Sequence, residues 1–293
     1  MDTVNIQVIA RMHSDFATKF GIPRQSGLVE ALRSTIVFEP EFRNSDALRG
    51  IEDFSHLWLI WQFSEAVRQG WSPTVRPPRL GGNTRMGVFA TRSPFRPNNL
   101  GLSSVRLLGV EQTREFGTVL HVGGADLMDG TPIFDIKPYI PYGDCHPDAT
   151  GGFTDTAGDF LLNVSFPPAL LSLLPEDKRD AAIGVLSHDP RPSYQRSPER
   201  VYGLSFAGYD IRFTVEGNIL TVKEVLKDSK IRVEELTDTV FSHASDTKTP
   251  QGILCVVEQM NHKISELTSA ECPLIMVLDH LQDPGNLGTI LRT

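Results

Sequence analysis

The sequence predicts a mainly β protein, strand-rich through its first two-thirds, with a small α+β unit behind. Three observations predict it. Short β-branched or alternating runs recur between Gly, Pro and Asn breaks. Regular helices do not intervene, which favours a closed barrel or a sandwich over a doubly wound sheet. From about Gly151 the texture shifts to helix-like and then alternating segments.

The strand-like runs are "VNIQVIARMH", "STIVFEP", "MGVFATR", "LSSVRLLGV", "GTVLHVGGADL" and "PIFDIKPYI". After the second of these comes "SHLWLIWQFSEAVRQG", whose apolar pattern suits a buried helix or a strand running into a helical turn. Past Gly151, "PPALLSLLPEDKRDAAIGVLSHDPRPSYQRS" reads as one or two short helices ending at a Pro-rich loop. "YGLSFAGYDIRFTVEGNILTVKEVL" then gives three alternating strands with Gly at the turns. Beyond Lys227 a charged, Ser/Thr-rich stretch reads as a linker, followed by "GILCVVEQM" and "PLIMVLDHLQDPGNLGTILRT". That last piece combines an apolar strand, a Pro-Gly-Asn loop and the start of a helix. The expected division is 1–150, 151–226, a linker at 227–250 and a partial α/β fragment at 251–293.

Composition bounds the class. With 293 residues, 40% hydrophobic and 22% charged, the chain has room for one large or two ordinary domains with a real core. "MDTVNIQVIARMHSDF" carries an early Asp and no continuous apolar stretch, unlike a signal peptide. No segment approaches the roughly 18 apolar residues of a membrane helix. Cys145, Cys255 and Cys272 are scattered without C-x-x-C spacing, which argues against a disulfide framework or zinc ribbon and fits a reducing cytoplasm.

The net charge of −8 hides an asymmetry. From Ala66 to Val110 there is no Asp or Glu, yet Arg68, Arg76, Arg79, Arg85, Arg92, Arg96 and Arg106 all fall there. Such a block in an acidic chain points to a local anion-binding surface rather than a general polyanion binder.

Common catalytic signatures are missing: no G-x-G-x-x-G after a strand, no G-x-x-x-x-G-K-[ST], no H-E-x-x-H and no G-x-S-x-G. A nicotinamide Rossmann domain and a P-loop enzyme are therefore disfavoured. "DCHPD" (Asp144 to Asp148) offers adjacent polar residues on a Pro-containing loop, a pattern more often solvated than metal-binding. Two stretches carry more information. One is "MGVFATRSPFRPNNLGLSSVRL", with Arg92 and Arg96 on a Pro-rich turn between strand-like runs. The other is "GGADLMDGTPIFDIKPYIPYGD". Its Asp129-Gly130 step taken singly is an ordinary hairpin turn. Strand alternation puts Asp135 and Lys137 on one face with Ile136 on the other, and Tyr139 follows two residues on.

Together "DFSHLWLIWQF", "RPPRLGGNTRMGVFATRSPFRPNNLGLS", "DLMDGTPIFDIKPYIPYGD" and "SHDPRPSY" resemble, in order and spacing, the TrmO (TsaA-like, YaeB-like) family from about Ile6 to Val225. The resemblance implies a β-barrel with a small C-terminal domain, a homodimer, and an S-adenosylmethionine-dependent tRNA methyltransferase. Its substrate would be N6 of the threonylcarbamoyl-modified adenosine at position 37 of threonine tRNA. Carried over by residue, the cofactor pocket would draw on Pro23, Arg24, Gln25, Arg92, Leu102, the turn of Gly124, Ala125, Asp126 and Leu127, and Thr131. It would also draw on Ser64 and Glu65, where this sequence departs from the family pattern. The loop holding Asp189, Arg191, Pro192 and Tyr194 would reach the anticodon arm. No metal is implied.

Methyl transfer is an in-line displacement in which positioning dominates. The amide-like nitrogen is a weak nucleophile, so a base that takes its proton helps. Asp135 is the candidate base, with Lys137 or Tyr139 orienting it or the carbamoyl oxygen; binding a sugar hydroxyl is the rival aspartate role for Asp126 or Asp129. The substrate's carboxylate and phosphates suit guanidinium receptors, for which Arg85 and Arg96 are candidates. Two other readings compete: a non-catalytic RNA-binding relative, and a metal-dependent hydrolase built on Asp126, Asp129, Asp135 and Asp144, for which no His completes a ligand set.

The ending resembles the first motif of the SpoU-type ribose 2′-O-methyltransferases, with Asn286 and Arg292 matching an RNA-side polar pair. The later motifs of that family do not follow before Thr293, so the segment is expected to be catalytically silent and poorly packed.

Overall fold

A computed structural model describes residues 4–66, 70–77, 80, 84–156, 161–191, 197 and 200–228. The expected linker beyond Asp228 and the 251–293 fragment lie outside the described residues, as do Arg68, Arg79, Pro192 and Tyr194.

The strands are β1 (Ala10–His13), β2 (Arg33–Phe38), β3 (His56–Gln62), β4 (Thr74–Val75), β5 (Met86–Gly87), β6 (Leu100–Thr113), β7 (Gly117–Gly123), β8 (Pro132–Pro138), β9 (Asn163–Ser165), β10 (Tyr202–Phe206), β11 (Tyr209–Glu216) and β12 (Ile219–Lys227). The helices are α1 (Pro141–Asp144), α2 (Phe153–Thr156), α3 (Pro168–Leu171) and α4 (Glu176–Ser187). The molecule is mainly β, as the sequence predicts.

Strands β1, β2, β7, β6, β3 and β8 close into a barrel in that order. Alternation decides which side chains fill it. Leu57, Leu59 and Trp61 of β3 point inward, and Trp58 and Ile60 lie on the opposite face. Met12, Ile36, Leu120, Val122 and Ile133 complete the interior with them. The "SHLWLIWQFSEA" run resolves into the second of its two predicted forms, β3 followed by a 3-10 turn at Ser64–Ala66. "MGVFATR" departs from expectation: only Met86 and Gly87 pair, and Val88–Ala90 turn as a 3-10 helix after the Val88 N–H donates to Pro73 O. Of "VNIQVIARMH", only the last four residues are a strand.

A second sheet, ordered β10-β11-β12-β9, packs against α4. Apolar Ala181, Ala182, Val185 and Leu186 fall on one face of α4 and enter this core, while Glu176 and Asp177 sit where the helix dipole favours acids. Phe16, Val29 and Leu32, from the segment between β1 and β2, belong to the same core. The contact is tight: a Cβ on Gly184 would stand 2.6 Å from Val29 Cγ1. No described helix is long and apolar enough to cross a membrane.

Candidate active site

The geometry that matters begins where β7 stops. Arg106 pairs with Gly123, the last residue of β7, so Leu100 to Val105 of β6 run on without that neighbour. The chain after β7 crosses this exposed end. Its Gly124 has φ +70, and a Cβ there would lie 3.2 Å from the Gly27 backbone, whose N–H donates to Gly124 O at 2.8 Å. Asp126 thereby comes over Ser103, which faces inward from β6.

Ser103 Oγ lies 2.6 Å from Asp126 Oδ1, and Trp61 Nε1 donates to Ser103 Oγ at 3.0 Å. An indole N–H only donates, so the serine oxygen accepts there and its single proton goes to Asp126. Burial pushes the Asp126 carboxyl above its ordinary value; the Ser103 bond, its own N–H, the Arg92 charge and the Ser26 N–H pull the other way without winning. Gln25 completes the cluster, its Oε1 accepting from Arg92 Nη1. Gln25, Arg92 and the Gly124–Asp126 turn, drawn from three separate places in the sequence, thus meet at one barrel end.

Other predicted cofactor residues contribute differently. Ala125, Leu127, Thr131 and Pro23 are buried. Ser64 and Glu65 are exposed on the turn after β3, and Arg24 is exposed beside Gln25. Leu102 stands half-exposed on the outer wall of β6.

That outer wall also carries the predicted catalytic group. Ile60 is flanked in register by Leu102 on one side and Asp135 on the other, a separation of about 10 Å across two strand spacings. Asp135 Oδ2 pairs with Lys137 Nζ at 2.9 Å, and its Oδ1 accepts the Ile136 N–H at 2.9 Å. Ile136 turns inward against the barrel core, as alternation requires. Tyr139 stands by the next rows of the wall, its ring 5.7 Å from Trp58 and 6.2 Å from His56. Desolvation and then Cys145 raise its hydroxyl above the ordinary value, which keeps it a neutral donor. Among the described residues, no hydrogen bond or ion pair joins Asp135, Lys137 or Tyr139 to Arg92, Gln25 or Asp126.

Arg85, Arg92 and Arg96 of the arginine block bond to neutral groups. None of Arg76, Arg85, Arg92, Arg96 or Arg106 forms an ion pair with a carboxylate among the described residues. Arg96 Nη1 donates to Thr91 O at 2.9 Å and closes the 91–96 loop. Arg85 Nη1 donates to Thr74 Oγ1 at 3.1 Å. Arg191 behaves otherwise: it is bidentate to Asp189 at 2.8 and 2.9 Å, with its guanidinium over the Tyr202 ring.

Asp129 is engaged in fixing its turn, accepting from the Ser14 N–H at 3.0 Å, and Asp144 accepts from Trp58 Nε1 at 2.9 Å. Among the described residues no three His, Cys, Asp or Glu side chains converge to hold a metal ion. A cavity of about 550 Å³ lined by His13, Asp15, Arg33, His121, Asp129 and Lys178 shares no residue with the Gln25–Arg92–Asp126 cluster.

Family models for the tRNA-methyltransferase O N-terminal domain and the TrmO C-terminal domain match residues 11–145 and 161–228. The chain belongs to the TrmO family. It is 40% identical over 223 residues to the tRNA (adenine(37)-N6)-methyltransferase of Escherichia coli strain K12, covering 73% of this chain and 94% of that protein. A protein of the same name from Eikenella corrodens is 44% identical over 174 residues, covering 59% of this chain and 97% of its own length. A TrmO crystal structure from P. aeruginosa superposes with a TM-score of 0.64 at 34% identity, covering 78% of this chain and 98% of that one.

The candidate site contains two groups that sequence reasoning missed, Ser103 and Trp61. Ser103 sits in "LGLSS" with nothing to distinguish it from Ser104, and Trp61 reads as core. The strand parity shared by Ser103 and the buried Val105 was the one available signal.

Proposed function

We propose that this chain is an S-adenosylmethionine-dependent tRNA methyltransferase acting on N6 of adenosine 37, with the threonylcarbamoyl-modified base as substrate. Membership of the TrmO family supports the reaction class. The observation that carries the site is Asp135 and Leu102 flanking Ile60 on one wall.

The donor set suits the cofactor. A guanidinium and an amide (Arg92, Gln25) match its carboxylate end, a carboxylate (Asp126) matches ribose hydroxyls or the ammonium, and Leu102 with Ile60 offers apolar surface to the purine. When bound, S-adenosylmethionine supplies an electrophilic methyl on a sulfonium. Asp135 is placed to accept the proton that N6 loses when the methyl leaves the sulfonium, which would depart as a neutral thioether. Lys137 holds the carboxylate in place from 2.9 Å. Tyr139, as a neutral donor, orients the carbamoyl oxygen. Arginines of the block receive the threonyl carboxylate and the loop phosphates. Homodimerisation, contact with the anticodon arm and a cytoplasmic setting complete the proposal.

Methyl incorporation into tRNA with and without the threonylcarbamoyl group tests it. Incorporation confined to modified tRNA is the expected result. A chain that binds tRNA but transfers no methyl group is the non-catalytic relative instead.

A further inference from the structure

Two large aromatic side chains belong to neither core. Trp71 is 51% exposed and Phe89 72% exposed, yet their ring centroids are only 6.0 Å apart at an interplanar angle of 33°. Single exposed apolar residues are ordinary. A touching pair left in water, brought together from 18 positions apart in sequence, is a built feature.

The scaffold is the ribbon of β4 and β5, where Thr74 pairs with Gly87 and Val75 with Met86. Trp71 precedes β4 and Phe89 follows β5, so the two rings close one end of the ribbon. Continuing the same register in the other direction places Arg76 opposite Arg85. Like charges directly opposite on paired strands repel. Both arginines are exposed, and neither has a carboxylate partner among the described residues. No acid occurs anywhere from Ala66 to Val110 to relieve the repulsion. An outside anion beside the two arginines would relieve that repulsion.

Aromatic faces at one end of a ribbon and cations at the other, in a stretch of sequence without acids, match the chemistry of single-stranded RNA. Bases stack on π faces whatever their identity, and phosphates take the cations. We propose that the β4–β5 ribbon is a stacking platform for unpaired bases of the RNA loop, with Trp71 and Phe89 receiving bases and Arg76 and Arg85 receiving phosphates. The platform rests on the tRNA reading above and names the surface that holds the loop. Stacking would also hold the splayed loop open so that one base can leave the stack for modification.

The test uses the full chain and a fluorescently labelled anticodon stem–loop, with affinity measured between about 50 and 200 mM salt. Trp71→Ala/Phe89→Ala is expected to weaken binding about 10- to 100-fold without changing the salt slope, because stacking is not ionic. Arg76→Ala/Arg85→Ala is expected to lower the slope by about 1.5. Trp71→Leu/Phe89→Leu keeps apolar bulk and folding competence but removes the π faces, so it should lose affinity as the alanine pair does. Wild-type binding by the leucine pair overturns the platform. So does a change of oligomeric state in the alanine pair, which would make the ribbon a protein–protein face. If the unaltered chain fails to hold the stem–loop at all, the tRNA reading falls and takes the platform with it. If the unaltered chain binds and methylates while the variants bind equally well, only the platform falls.

Discussion

Ser103 gives its hydroxyl proton to Asp126 across 2.6 Å because Trp61 Nε1 occupies the oxygen's accepting side at 3.0 Å. The chain of donors has one direction, fixed by an indole that cannot accept. Ser103→Ala breaks it in the middle and strands a buried indole N–H and one carboxylate oxygen. A loss of about 1–3 kcal/mol is expected, or a fall of roughly 2–10 °C in the thermal midpoint. Trp61→Phe removes the stranded donor, so the double variant should lose less than the sum of the two singles. Strict additivity in a double-mutant cycle would show that the three groups are not coupled.

The same carboxyl sets a pH dependence. Burial raises Asp126 above the ordinary carboxylate value, so folding favours its neutral form. Its contribution to stability is whole below the unfolded-state pKa and declines as pH rises through the higher folded-state value, where it levels off. Asp126→Asn keeps the shape and removes the titration. Thermal unfolding of the two proteins from acid to neutral pH should show the wild type losing ground to the variant as pH rises. Parallel curves would mean that Asp126 titrates no differently in the folded chain.

Much of the fold was legible because its strands alternate. β7, β8, β10 and β11 lie within predicted runs, and β6 and β12 overrun theirs, because alternating apolar residues on a half-buried sheet leave a period-2 trace. β3 left two readings open, since a strand apolar on both faces loses that trace. "MGVFATR" misled for a different reason: its apolar residues serve a ribbon and a 3-10 turn, where pairing with Pro73 decided the conformation. The role of Phe16, Val29 and Leu32 in the second core was not legible at all, because a core assembled from distant segments has no local period.

The site divides along similar lines. Arginines in an acid-free block, and Asp135 with Lys137 on one strand face, are facts of composition and parity that a sequence displays. The meeting of Gln25, Arg92 and Asp126 depends on where β7 ends relative to β6, which is a matter of register. Arg191 shows the limit from the other side. Its sequence context gives no hint that Asp189, two residues away, holds both guanidinium arms.

Gly124 tests whether close backbone approach shapes the cofactor end. Its φ of +70 and the 3.2 Å that a Cβ would leave to the Gly27 backbone both penalise any side chain. Gly124→Ala should cost about 1–2 kcal/mol from the left-handed conformation alone, and it should displace the loop that carries Gln25. Calorimetry with S-adenosylmethionine is expected to show weaker binding than wild type at a temperature where both are folded. Unchanged affinity would separate this turn from the cofactor.

Arg92 and Arg96 are four residues apart but differently employed. Arg92 reaches Gln25 and the Asp126 cluster, whereas Arg96 holds the Thr91 carbonyl of its own loop. Arg92→Ala should therefore weaken cofactor binding by about tenfold or more, the scale of one charge-assisted hydrogen bond. Arg96→Ala should act less on affinity and more on the order of residues 91–96, seen as faster proteolysis there. Equal losses of affinity in the two variants would contradict this division.

Asp135 carries the chemical step in the proposed mechanism, and its position makes a sharp demand. It lies on the outer wall beside Lys137, with Ile60 between it and Leu102, and bonds to none of Gln25, Arg92 or Asp126. Asp135→Asn preserves size and one acceptor oxygen for the Ile136 N–H, but loses the Lys137 ion pair and cannot accept the N6 proton. Turnover should fall about 10²- to 10⁴-fold, the range for losing a positioned base. S-adenosylmethionine affinity by calorimetry should stay close to wild type. Lys137→Ala should reduce turnover less, because it frees the carboxylate to rotate without removing it. Turnover and cofactor affinity falling together in Asp135→Asn would instead assign Asp135 to binding and leave the proton without a named acceptor.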